Sequence, residues 1–313
     1  MSAPKKRQWL LIILIGVAIA LLALSFRSCR GALPNLNAPM LGKTGEGTLL
    51  AKIYRSGRLV AGVKFDARPF GYLDTDGQIK GYDIDLIREI ARRLTRTLKR
   101  RTPIQPEFQQ VLSSTRIIGL NLGKLDLVAA TMTITPERET LIDFTDPYYM
   151  ARQAVITPVS SPARSIRDLD RATIFYVIGA TSERNIRLAL PHARFKGFKS
   201  AVEAFTALRG HRAEAFTSDD TILYGLMEDG CDFRLLPERL SQEPYGLGIR
   251  QDLDSHETES FRLAINQILK DMREDGTLER LRQKWMGPYE APHHCNPPAQ
   301  GKPGASVQAG PSG

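Results

Sequence analysis

Residues 131–138 read Thr131-Met132-Thr133-Ile134-Thr135-Pro136-Glu137-Arg138, placing hydroxyls, backbone amides and a guanidinium within one short stretch of chain. They follow the apolar run Leu125-Asp126-Leu127-Val128-Ala129-Ala130, which reads as a buried strand. Thr135 is an expected N-cap, Pro136 suits a first helical position and Glu137 favours the positive helix end, so a helix starts here. Arg138 then falls in its first turn, beside hydroxyls and unpaired amides. A planar guanidinium fork matches two carboxylate oxygens, so such a cluster suits the gripping of a carboxylate. Taken alone, the octapeptide is read equally well as a surface arginine after a strand.

A second strand end has related chemistry. Ala172–Ile178 reads as a strand leading into Gly179-Ala180-Thr181-Ser182 and a helix to Leu190. Many strand-to-helix turns look like this. Opposite the first cluster across a cleft, however, it would hold the same carboxylate from the other side. In Thr217-Ser218-Asp219-Asp220, Asp219 is a fair helix N-cap and Asp220 its solvated neighbour.

The elements that must position these groups alternate between strand and helix. Leu59–Val63 reads as a strand, and a helix over 83–98 carries Ile84, Ile87, Ile90, Ala91, Leu94 and Leu98 on one stripe. Gln153–Val159 and Ala213–Thr217 are further strands, Ser200-Ala201-Val202-Glu203 is a capping box, and Ile222–Met227 is helical. Helices 255–274 and 277–286 close the pattern. Such alternation predicts open α/β sheets with helices on both faces, whose ligands sit at the carboxyl ends of the strands.

The segment Gly81-Tyr82-Asp83-Ile84-Asp85-Leu86-Ile87-Arg88-Glu89-Ile90-Ala91-Arg92-Arg93-Leu94 resembles the signature of the bacterial extracellular solute-binding proteins of family 3, the polar-amino-acid receptors of ABC importers. Phe70-Gly71-Tyr72, the 131–138 segment, Asp143-Phe144-Thr145-Asp146-Pro147-Tyr148-Tyr149, Asp275-Gly276-Thr277 and Lys284-Trp285 agree in order and spacing, over residues 50–288. The resemblance implies a two-lobed periplasmic-binding-protein (Venus flytrap) fold, in which two open α/β sheets are joined by a double-crossing hinge. It implies a discontinuous lobe 1 of 51–153 plus 244–290 and lobe 2 over 154–243, while composition and hydropathy read residues 1–30 as a signal or anchor segment, 31–50 as a linker and 291–313 as a disordered tail.

It also implies roles for single residues. Arg138 would bind a ligand α-carboxylate bidentately, with Thr133 adding its amide and hydroxyl and Thr181 or Ser182 contributing from lobe 2. Thr131 would offer a backbone carbonyl to the α-ammonium, and Asp219 would pair with it. Lys64 falls where the family often reads the ligand side chain, and Arg116 resembles a second basic contact of acidic-amino-acid receptors. Lys64 is otherwise a solvated strand-end lysine, and Arg116 a partner for Asp66 or Asp126. Ser113 and Ala67 stand near positions where many relatives stack an aromatic ring, leaving Phe65, Phe70 or Tyr82 as substitutes. Two cations predict glutamate or aspartate first, their amides second and basic amino acids last.

The N-terminus and composition agree with an exported receptor. Lys5-Lys6-Arg7 precedes an apolar run from Trp9 to Phe26, a charged tip followed by a stretch near spanning length. It is read as an uncleaved anchor, a cleaved signal after Ala23-Leu24-Ser25, or a lipidated segment at Cys29; all three place the rest in the periplasm or on the extracellular face. The 313 residues are 42% hydrophobic, ample for two cores. The net charge of +9 gathers around the apolar run and along Arg92–Arg101, a solvated helix face without the interleaved aromatics of a nucleic-acid binder. Cys231 and Cys295 are expected to pair in an oxidising compartment. Neither a metal nor a cofactor is expected, His293-His294-Cys295 lacking further spaced ligands. The five histidines avoid the gripping segments, so binding without catalysis is preferred to the rival readings, an enzyme of the cyclic amino-acid-precursor dehydratase type or a sensory module.

Overall fold

The structure is a computed structural model describing residues 47–227, 231–251 and 257–290. The N-terminal apolar run, most of the 31–50 linker, Cys29, Cys295, the two histidines beside it and the 291–313 tail lie outside the described residues. Cys231 is disulfide-bonded. Among the described residues no helix is long and apolar enough to cross a membrane.

In chain order, helix α1 (Leu49–Ser56) leads to β1 (Arg58–Val63), and a small antiparallel sheet of β2 (Asp66–Ala67), β3 (Gly71–Leu73) and β4 (Ile79–Lys80) precedes α2 (Tyr82–Thr97). Next come β5 (Gln105–Gln110), α3 (Arg116–Asn121), β6 (Leu127–Ala129), α4 (Pro136–Glu139) and β7 (Ile142–Phe144). The long β8 (Tyr149–Pro158) opens a second set: β9 (Thr173–Val177), α5 (Ser182–Ala189), β10 (Arg194–Phe198), α6 (Ala201–Arg209), β11 (Ala215–Asp219), α7 (Asp220–Leu226), β12 (Phe233–Leu235) and β13 (Ser241–Tyr245). Strand β14 (Gly248–Arg250) and helices α8 (Glu259–Glu274) and α9 (Thr277–Glu290) finish the described chain.

These strands form two open sheets, as the βα alternation predicts. The first runs β5-β1-β6-β14-β7, with β1 parallel to β5 and β6. The second runs β10-β9-β11-β8-β12, and β13 pairs with β8 off that path. The chain passes between sheets twice, after β7 and again between β13 and β14. The fold is the two-lobed solute-binding fold.

Helix α2 shows how the sequence makes its own element. Ile84, Ile87, Ile90, Ala91 and Leu94 are all buried, as the stripe requires, and Leu86 is buried too, against a second neighbour. The helix packs on α8, which buries Phe261, Ile265, Leu269 and Met272, and on α9. Ser200 caps α6 by accepting from the Glu203 amide, but Glu203 reaches the amide of Lys199 rather than that of Ser200, so the box is not reciprocal. Strand β8 begins four residues before the expected Gln153, because Tyr149–Arg152 find partners on β13 in register Tyr245–Gln242.

Gly81, just before α2, sits at φ 133°, and a Cβ there would stand 2.1 Å from the Phe70 carbonyl oxygen. Only glycine fits. Gly81→Ala should therefore lose roughly 1–3 kcal/mol of stability from the backbone conformation alone. Equilibrium urea unfolding checks this; an unchanged midpoint would mean that the turn relaxes freely.

Candidate functional site

Strand ends of both sheets converge on one cleft. Lys64 follows β1, Thr131 and Thr133 follow β6, Arg138 lies in α4, Thr181 follows β9, and Asp219 ends β11. Parallel strands direct the chain toward their carboxyl ends, where loops and helix N-termini gather unpaired polar groups. The cleft is lined by Lys64, Asp66, Arg116, Thr131, Thr133, Arg138, Thr181 and Asp219, with Val177 and Ile222 among its apolar wall. Seven of the eight residues expected from the sequence thus meet there. The exception is Ser182, which does not line the cavity: its Oγ is buried without a partner, and its carbonyl accepts from Gln153 Nε2 at 3.0 Å.

Arg138 stands where the capped turn puts it. Thr135 Oγ1 accepts the Arg138 amide at 3.3 Å, and Pro136 opens the helix. The guanidinium donates Nη1 to the Thr133 carbonyl at 2.7 Å and Nη2 to the Gly179 carbonyl at 3.0 Å. One lobe supplies each acceptor. Burial lowers the Arg138 pKa, while the charges of Glu243 and Asp219 oppose the shift. Gly179 has φ 84°, and a Cβ there would lie 2.7 Å from the Ser114 backbone of the other lobe, so this turn needs glycine for both conformation and close approach.

Arg116 is buried and pairs with neither Asp66 nor Asp126, the partners considered from the sequence. Its Nη1 donates to the carbonyls of Ala130 at 2.5 Å and Thr131 at 3.2 Å, leaving Nε–H without a partner. Asp126 is taken by Lys52 and by the Val60 amide, both at 2.8 Å. Burial brings Arg116 down to about 9, with the neighbouring Arg138 charge adding to the effect. Thr131 holds φ 49°, a strained conformation for a branched residue. The Thr131 carbonyl expected to meet an ammonium is therefore already an acceptor for Arg116.

Lys64 is not a solvated strand-end lysine: it is only 4% exposed. Burial pulls its pKa down to about 8, against the pull of Asp66 and with that of Arg116. Its Nζ stands 3.8 Å from Asp66 Oδ1, and both Asp66 oxygens are buried without a hydrogen bond. The sequence reading named Asp66 only as a partner for Arg116, not for Lys64. The signal was its position two residues after Lys64, which puts alternate side chains of an extended segment on one side.

Asp219 does not cap α7 with its side chain; its Oδ2 accepts the Tyr245 hydroxyl. Burial and the nearby Glu243 charge push it up to about 7. Asp220 corrects the sequence reading, being buried and paired with Arg152 at 3.1 Å and Arg239 at 3.4 Å rather than solvated. The aromatic substitutes also fail. Phe70 and Tyr82 pack in a cluster with Tyr148, Tyr149 and Tyr245 behind the cleft, and neither they nor Phe65 line it.

A family comparison decides the relationship. The family model described as bacterial extracellular solute-binding proteins, family 3, matches residues 59–288. The chain belongs to that family. It is 35% identical over 246 residues to an ABC transporter glutamine-binding protein of Bacillus subtilis (strain 168), covering 78% of this chain and 86% of that protein. A glutamine-binding protein of Geobacillus stearothermophilus is 36% identical over 217 residues, 68% of this chain and 81% of that protein. Among solved structures, an ancestral arginine-binding protein bound to glutamine aligns with TM-score 0.67 and 31% identity, over 74% of this chain and 98% of that one. This solute-binding protein thus has the extracytoplasmic setting of its family.

Asp219 and Asp83, the latter raised to about 7 mainly by burial, both lie above their ordinary 3.8. Between about 4 and about 7 the folded protein holds protons that the unfolded chain releases, so stability falls as pH rises through that window. Asp219→Asn should flatten part of this decline in the ligand-free protein. Thermal unfolding measured from pH 4 to pH 8 would show it, and an unaltered slope would remove Asp219 as a source.

Proposed function

We propose that this chain is the amino-acid-binding receptor of an ABC importer, tethered by its N-terminal segment, with L-glutamine as preferred ligand and glutamate second. The observation that carries the ligand assignment is the pairing of Lys64 with Asp66 on one wall of the cleft. A side-chain amide has an acceptor oxygen for the lysine and donor N–H groups for the aspartate. The acidic-first expectation rested on Lys64 and Arg116 alone, and Asp66 moves the amide ahead. Charge supports the same order. Lys64, Arg116 and Arg138 are matched by Asp66, Asp219 and Glu243, so a zwitterion with a neutral side chain preserves the balance. Glutamate adds one uncompensated negative charge, although the free Arg116 Nε–H favours it as second choice. Arginine would bring a third cation beside Lys64 and Arg116.

Arg138 would take the α-carboxylate and Asp219 the α-ammonium, whose charge would draw the Asp219 proton off. In this reading residues 51–153 plus 244–290 form the first lobe and 154–243 the second. Ligand docks on the first, and Thr181 and Asp219 add their contacts as the lobes close, which shifts the population toward the closed state. The transporter's membrane subunits would then receive the closed receptor. No bond is made or broken. A carboxyl near neutrality in a cleft is also what an acid–base enzyme needs, so the ligand recovered after binding should be chemically unchanged.

Calorimetry on protein refolded to strip carried-over ligand tests the assignment. Glutamine should bind with micromolar affinity, about −8 kcal/mol, ahead of glutamate and far ahead of arginine. Asp66→Asn should weaken glutamine and narrow its lead over glutamate. Arg138→Ala should cost about 100-fold or more for every amino acid, because a buried charge pair is broken. A preference for arginine would discard the Lys64–Asp66 assignment, and a ligand altered on recovery would reopen the enzyme reading.

A further inference from the structure

Glu243 lies on β13, the second passage between the lobes, and is buried. Its Oε2 accepts Thr133 Oγ1 at 2.6 Å from one lobe and Thr181 Oγ1 at 2.7 Å from the other. Its Oε1 accepts Asn185 Nδ2 at 3.3 Å and the Ser241 hydroxyl. Four donors therefore surround one carboxylate. Two of them are the threonines that line the cleft on either side of Arg138.

A hydroxyl has a single proton to donate. With that proton directed at Glu243, each threonine oxygen can offer the cavity only lone pairs. Lone pairs repel an incoming carboxylate and attract the N–H of an ammonium. The expected donation from Thr133 and Thr181 to a ligand α-carboxylate thus requires Glu243 to release them. We propose that Glu243 is a positioning residue that fixes the direction of both threonine hydroxyls and competes with the ligand α-carboxylate for them, so that it sets the affinity of the site. Arg138 and backbone amides then hold the carboxylate, while the threonine oxygens face the α-ammonium. This deepens the amino-acid reading above and rests on it.

Glu243→Gln separates this role from a merely structural one. The glutamine keeps the shape and one acceptor oxygen, and its amide can donate to the threonine oxygens, which frees their protons for the ligand. Binding of glutamine should tighten about tenfold, the size expected when a charged competitor is removed from one or two hydrogen bonds. Glutaminamide, which lacks the α-carboxylate, should show no such gain. If Glu243 only braced the lobes, the variant would weaken both ligands alike, and either that result or unchanged affinities in a folded variant would overturn the proposal.

A second measurement needs no ligand. Thermal unfolding of Glu243→Gln, Thr133→Val and the double variant should be non-additive, because both changes alter the same Glu243–Thr133 hydrogen bond. Should the unaltered protein bind no amino acid, the receptor reading fails by itself. The cycle then judges Glu243, and additive losses would overturn its hold on the hydroxyl.

Discussion

Arg138 donates to the Thr133 carbonyl in one lobe and to the Gly179 carbonyl in the other, so one half-buried cation joins the carboxyl ends of both sheets. A guanidinium in that position must be compensated, since burying an unpaired charge costs several kcal/mol. The surrounding residues supply that compensation. Asp219 and Glu243 oppose the loss of charge at Arg138, while Arg116 stays buried on the carbonyls that end β6. Placing so many ionisable groups out of water shifts their protonation in predictable directions, with carboxyls raised and cations lowered.

The same requirement explains the polar strip along the two passages between sheets. Gln153 on β8 donates to the Ser182 carbonyl and to Thr217 Oγ1, and accepts from Asn185. Glu243 and Tyr245 on β13 accept and donate in turn, reaching Thr133, Thr181 and Asp219. A passage that only connected the lobes could be apolar. This one ties the cleft-lining turns of both lobes to a shared pair of strands. The aromatic cluster of Phe70, Tyr82, Tyr148, Tyr149 and Tyr245 packs behind it, which limits water around those buried bonds.

Much of the fold was legible because its signals are local. The stripe of α2, the apolar run before Thr131 and the Thr135-Pro136 helix start each declare themselves within a few residues, and each element forms where expected. Strand β5 did not. Its sequence, Gln105–Gln110, is polar and half-exposed, because an edge strand is covered on fewer sides and needs no apolar run. Asp220 was misjudged for a related reason. Its partners Arg152 and Arg239 are distant in sequence, and nothing beside it announces them.

The sequence by itself determined the alternation of strand and helix, the turn that presents Arg138, and the family to which the chain belongs, since periodicity, caps and a contiguous signature are all short-range properties. Only the tertiary structure decided which charges line the cleft and which pair with each other. Arg116 looked like a partner for a carboxylate until folding set the Ala130 and Thr131 carbonyls beside it. Thr133 and Thr181 looked like donors until Glu243, more than sixty positions from Thr181, reached both. Burial and long-range pairing fix the protonation of these groups and the direction of the Glu243 hydrogen bonds, and neither is written in any stretch of neighbouring residues.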